Sequence, residues 1–248
     1  MGESIVKQRE DQSSHLGSPI VAIFATTLPK SAVDALNDMN GVPFVRNPKR
    51  INSIVAQIDA QKYLDFVEAL GTLYVFDTES QGMEGDYGRL YAVSIKPFNK
   101  EPINLAIGKN ACDKGLVIEA KNILEKADMW CSFYGRMHDI PLLNTRLLRW
   151  GCLPIEPKPH IDMYFQLKYK LKTGRKSQAH LLEFLQDTMI ALGIPPERKM
   201  TVSPNVWSDL WSDYKKNIKI LIERCASDTV GLEALYKVCR HLIRDIKS

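Results

Sequence analysis

Residues 73–80 read Leu-Tyr-Val-Phe-Asp-Thr-Glu-Ser: a short apolar run, then two carboxylates with one residue between them. The run has strand composition. In a strand, side chains two apart share a face, roughly 6–7 Å apart along the chain, so Asp77 and Glu79 project together. Two bare carboxylates at a buried strand end are costly. Either the strand exits into solvent there, with Thr78 and Ser80 making turn bonds, or a divalent cation offsets the charge. Hard carboxylate oxygens suit Mg²⁺ or Mn²⁺.

The surrounding pattern places this strand in a mixed α/β chain. The Gly-rich turn "QGMEGDYG" (81–88) leads into "RLYAVSIKPF" and "PINLAIG", two more strand-like runs with short connections, as in an antiparallel meander. A helix at "LVIEAKNILEKAD", a short buried strand at "MWCSFYG" and a helix at "HDIPLLNTRLLRWG" follow, the last ending at Gly151. "SQAHLLEFLQDTMIALGI" predicts one helix stopping before Pro195. "KKNIKILIERCASDTVGLEALYKVCRHLIRD" predicts a long helix with a break near Ser227. Upstream, residues 1–16 read as a polar, disordered tail. Residues 17–70 read as a small β-α-β-α unit, with "INSIVAQIDA" as a half-buried strand and "QKYLDFVEALG" as a helix ended by Gly71. Residues 71–248 form the main domain.

Composition narrows the class. No apolar run approaches the roughly 18 residues of a membrane span, and the N-terminus has no signal-peptide core. Five scattered cysteines include no CxxC pair, so they read as thiols in a reducing compartment, cytoplasmic or nucleoid-associated, rather than as a zinc site. The net charge of +4 is mild, but residues 136–176 hold nine Lys/Arg against three Asp/Glu. That stretch is either a solvated face or a strip that delivers a phosphate backbone to the nearby acids.

Two further acids stand out. Asp139 opens a helix after Gly135, where an Asp also satisfies free N–H groups. Asp228 sits in a helical stretch with Ile220, Leu221, Val230, Leu232 and Leu235 around it. Asp162, in "HIDMYF", reads as a supporting or helix-capping residue.

Taken together, "DTES" (77–80), "GRMHDIPLL" (135–143), "HIDMYF…SQAHLLEFLQ" and "RCASDTVGLEAL" (224–235) resemble the motifs of the DEDD superfamily of 3′–5′ exonucleases, in its DnaQ-like and YprB-like branches. The resemblance covers about 73–240. It implies an RNase H-like mixed sheet flanked by helices. It also implies two divalent ions, Mg²⁺ or Mn²⁺, held by Asp77, Glu79, Asp139 and Asp228, and two-metal hydrolysis of phosphodiester bonds at single-stranded ends of DNA or RNA. The expected partner is nucleic acid, with no membrane. Arg136, Arg146, Lys168 and Arg224 are the expected substrate contacts.

The chain departs from the family at one place. A His five residues before the last Asp, or a Tyr four before it, is usual; here Glu223 and Arg224 stand there. Arg cannot accept a proton at neutral pH, so Glu223 becomes the candidate base, with His138 and His180 as alternatives. This departure keeps open an RNase H-like endonuclease, and a nucleic-acid-binding protein with a degenerate nuclease site.

Overall fold

The computed structural model describes residues 51–244 and residue 246. Residues 1–50, which hold the expected tail and most of the expected N-terminal unit, lie outside the described residues. The first described element is a helix, α1 (Ile51–Leu70). The strand expected at 51–60 is therefore corrected to helix. Ile51, Ile54, Val55 and Ile58 fit helical spacing as well as alternation, and the pattern runs unbroken into the next ten residues. Gly71, at φ +67°, stops the helix as expected: its N–H and that of Thr72 bond back to the Glu68 and Val67 carbonyls.

Five strands follow: β1 (Leu73–Ser80), β2 (Leu90–Pro97), β3 (Ile103–Ala106), β4 (Met129–Ser132) and β5 (His160–Asp162). They form one sheet in the order β3-β2-β1-β4-β5. β1 to β3 are the antiparallel meander; β4 and β5 run parallel to β1. The helices are α2 (Lys114–Leu124), α3 (Asp139–Arg149), α4 (Met163–Lys168), α5 (Gln178–Phe184), α6 (Gln186–Ala191), α7 (Asn205–Ser208) and α8 (Tyr214–Cys239). This is the RNase H-like mixed sheet the motifs implied.

The two faces of the sheet follow from the period of two. Phe76, Val93 and Ile95 pack with Val117, Ala120, Leu143 and Leu147 of α2 and α3. On the opposite face, Ser94 meets Thr229 at 3.0 Å and Lys96 pairs with Glu233, both from α8. β2 is consequently buried along its whole length. Since Asp77 lies beside Ser94 in the register, Asp77 and Glu79 share the α8 face. The register slips between Glu79 and Ser80, a bulge at the strand end that carries the acids.

Two helices differ from expectation. The helix expected at 177–194 is two short ones, α5 and α6, meeting at Leu185. The break expected near Ser227 is absent and α8 runs for 26 residues. The Ser227 hydroxyl reaches out to the Arg198 carbonyl at 3.5 Å, and Thr229 bonds within its own helix to Ala226. Neither hydroxyl displaces the ladder. No helix among the described residues is long and apolar enough to cross a membrane.

Candidate metal centre

The end of β1 and the middle of α8 bring three of the four expected acids together. Asp77, Glu79 and Asp228 each offer an oxygen within 4.8 Å of the others. Asp228 is 1% exposed and its Oδ1 has no hydrogen-bond partner among the described residues. A buried carboxylate oxygen without a donor is costly, and a cation bound there would satisfy it. The donor set, hard and anionic, fits Mg²⁺ or Mn²⁺.

Asp139 reaches the strand tip from the other face. Its Oδ1 accepts from the Thr78 hydroxyl, and Thr78 necessarily points opposite Asp77 and Glu79. It is buried beside the cluster rather than inside the 4.8 Å group. The loop that delivers it is tightly made. Asp162 accepts N–H bonds from Tyr134 (2.9 Å), Arg136 (3.1 Å) and Tyr164 (3.1 Å), so it pins the loop before α3 and caps α4. Tyr134 is held at φ +67°, a conformation that costs a non-glycine residue free energy. A Cβ on Gly135 would lie 2.5 Å from Ser132 Oγ and 2.9 Å from Asp139 Oδ2, so only glycine fits there.

The electrostatics record the crowding. Burial pushes the Asp77 carboxyl well above the usual carboxylate range, and the charges of Asp139, Asp228 and Glu79 push it further; Lys199 acts the other way. Burial also raises Glu79, against Arg224 and Trp207, which lower it. Asp139 is raised by burial, against the Thr78 hydrogen bond and His138. The Cys225 thiol, which donates to the Asp77 carbonyl at 3.2 Å, is pushed far up by burial and by Asp77, and stays protonated.

Two cations complete the site: Lys199, which sequence reasoning did not place there, and Arg224, which it expected as a substrate contact. Lys199 Nζ lies 2.6 Å from Asp228 Oδ2. Arg224 Nε lies 2.6 Å from Glu79 Oε1, and its Nη2 lies 3.9 Å from Asp228 Oδ2. Trp207 Nε1 donates to Glu79 Oε2 at 2.9 Å, and the Arg224 guanidinium lies over its ring at 5.1 Å. Lys199 and Trp207 come from the segment between α6 and α8, which is anchored where Arg224 Nη1 donates to the Met200 carbonyl at 3.0 Å. That segment has no apolar periodicity, so the sequence carried no signal for it beyond the adjacent Arg198 and Lys199.

The remaining expected site residues divide. Arg136 is half-buried on the Asp162-bound loop, and Lys168 stands over the rings of Tyr164 and Tyr169. Arg146, expected to touch substrate, is buried at 3% exposure: its Nε and Nη2 fork onto Asp113 at 2.8 and 2.7 Å, and Nη1 donates to the Gly85 carbonyl. It braces α3 against the turns before β2 and α2. Glu223, expected as a base, faces solvent beside Lys219 at 3.7 Å. One residue is a turn of about 100° on a helix, and the Glu223 side chain, 51% exposed, points to solvent rather than to the acids.

A family model of the RNase_H superfamily matches residues 74–240, more than half of the chain, and this protein belongs to that superfamily. Among solved structures, the family B DNA polymerase from the hyperthermophilic archaeon Pyrobaculum calidifontis resembles it with a TM-score of 0.55 at 12% identity. That likeness covers 68% of this chain and 24% of the polymerase, and it shows a shared fold. A structure described as the apo form of a nuclease aligns over 73% of this chain and 78% of its own, at 20% identity and a TM-score of 0.47. No curated protein matches.

Proposed function

We propose that this protein is a metal-dependent nuclease that removes nucleotides from the 3′ end of a single DNA or RNA strand. The observation that carries the reading is the Asp77–Glu79–Asp228 cluster at the end of the first strand of an RNase H-like sheet, with the Asp228 Oδ1 buried and unpartnered. Asp77 and Asp228 would hold the divalent ion, with Asp139 beside them. When bound, such an ion lowers the pKa of water and stabilises charge on the phosphate oxygens.

The chain's own groups do the rest. Arg224 and Lys199 sit on the carboxylates at the distance of charge-assisted bonds, and their remaining N–H groups present positive charge to an approaching phosphate. Thr78 holds Asp139 in one orientation, and Asp162 holds the loop that carries it. A shallow pocket of about 340 Å³ beside that loop, lined by Phe133, Tyr134, Tyr164, Lys176 and Ser177, offers ring faces and a cation to an unpaired nucleotide. The N-terminal residues 17–70 would adjust substrate or partner binding without adding a metal ligand, and a reducing compartment holding nucleic acid suits the thiols.

One observation favours a second reading. No His or Tyr takes the water-activating place before Asp228, and Arg224 there is engaged with Glu79. A nucleic-acid-binding protein without turnover would look the same. End-labelled single and double strands, incubated with Mn²⁺ or with EDTA, separate the cases. A metal-dependent ladder from the 3′ end supports the exonuclease. A defined internal cut indicates an endonuclease, and retarded but intact strands indicate binding alone.

A further inference from the structure

The number of ions at this centre is set by how many carboxylate oxygens the protein already satisfies. Both oxygens of Glu79 are taken, Oε1 by Arg224 Nε and Oε2 by Trp207 Nε1. Asp228 Oδ2 is taken by Lys199. Asp139 Oδ1 is taken by Thr78, and its Oδ2 packs against Gly135, where a Cβ would lie 2.9 Å away. Against these stand Asp228 Oδ1, buried with no partner among the described residues, and the Asp77 carboxylate, whose one side-chain donor among the described residues is the Cys225 thiol at 3.6 Å, a weak contact.

Charge leads to the same count. Asp77, Glu79, Asp139 and Asp228 carry four negative charges when all are ionised, and Lys199 and Arg224 bring two positive ones. One divalent cation supplies the remaining two. A second would face Glu79 and Asp228 oxygens already bound to ammonium and guanidinium, and would meet their repulsion.

We infer that the centre takes one divalent cation, at Asp77 and Asp228 Oδ1, and that Lys199 and Arg224 supply the charge that a second ion brings to a two-ion site. The inference rests on the metal-dependent reading above and refines it from two ions to one. It also gives the segment between α6 and α8 a task. That segment carries Lys199 to the site and supplies the Met200 carbonyl that holds Arg224, so it fixes the stoichiometry of the centre.

The test is a count. The full chain is titrated with Mn²⁺ while electron paramagnetic resonance measures the free ion; the ions lost in Asp77→Asn are those of the cluster. The wild type should lose one. Arg224→Met and Lys199→Met should each admit a second, with the line broadening of two close Mn²⁺ ions; Lys199 is partly exposed on its loop, so that variant keeps the fold accessible to test. Two ions lost from the wild type would overturn the inference and leave the metal-dependent reading standing. So would a single ion in both Met variants. No ion lost from the wild type would overturn the metal-dependent reading itself, and the inference with it.

Discussion

Replacing Asp77 by Asn should stabilise the metal-free protein and remove its response to metal. Two like charges 4.8 Å apart repel by roughly 3.5 kcal/mol at an effective dielectric constant of about 20. Asp77 faces Glu79 and Asp228 at that range and Asp139 beyond, while Lys199 and Arg224 offset part of the sum. Burial adds a penalty that an amide escapes more cheaply than a carboxylate. The balance favours Asn by about 2 kcal/mol, which for a domain of this size is about 4–8 °C in melting temperature. In excess Mn²⁺ the order should invert. A ligand at about 100 times its Kd adds about 2.7 kcal/mol to the wild type, and Asp77→Asn lacks the ligand that would use it. Thermal melts by circular dichroism, in EDTA and in Mn²⁺, read both effects. Asp228→Asn should gain less in EDTA, because it strands Lys199. An Asp77→Asn protein that melts below the wild type in EDTA, or that Mn²⁺ stabilises equally, would refute the reasoning.

Other substitutions test the frame around the site. Arg146→Ala leaves the Asp113 carboxylate buried without its partner and should cost about 3–5 kcal/mol in urea unfolding; a loss under 1 kcal/mol would mean the pair is not what braces α3. Gly135→Ala forces a methyl against Ser132 and Asp139; it should cost about 1–3 kcal/mol and lower nuclease activity more than Gly174→Ala, where a Cβ meets nothing within 4 Å. His160, buried against Phe76 and Trp130 with Arg136 nearby, has its pKa lowered from 6.5 to about 3. Its neutral form is the one folded, so its contribution to stability is full above pH 6.5. That contribution falls by about 1.4 kcal/mol per pH unit below it until the folded pKa is reached, about 2 kcal/mol by pH 5. His160→Gln should flatten that decline in urea titrations at pH 5 and 7; an unchanged decline would assign the acid sensitivity elsewhere.

The parts of the site that were legible in the sequence are those that secondary-structure periods govern. Asp77 and Glu79 share a face because strands repeat every two residues, and Asp139 follows a glycine at the start of a helix. Asp228 stood out as an acid inside an apolar helical stretch. Glu223 stands at the family's spacing for a base, and its side chain faces solvent. A count back from Asp228 does not say which way that side chain turns on α8. Arg146 illustrates a different limit. Its charge is visible in a basic stretch, but its burial depends on Asp113, which lies 33 residues away. Lys199 and Trp207 arrive on a segment without a repeating pattern, so only tertiary folding brings them to the acids. Residues 51–60 satisfied both strand and helix spacing, and continuity with the following helix decided the outcome.

α8 behaves as a screw thread shared by two fittings. At one end Arg224, Cys225 and Asp228 engage the strand-end acids. At the other, the Tyr236 hydroxyl, and Arg240 just past the helix, bond to Glu68 of α1. Asp228 and Tyr236 are eight residues apart, about 12 Å and a little over two turns. A single inserted or deleted residue between them would rotate one fitting by 100° relative to the other, so only one could seat. Length changes of this kind should therefore be excluded from 229–235, while the stretch between α6 and α7 can lengthen away from Lys199 without altering either fit. The spacing between the Asp228 end of α8 and its Glu68 contact is thus set by a helix pitch rather than by a loop.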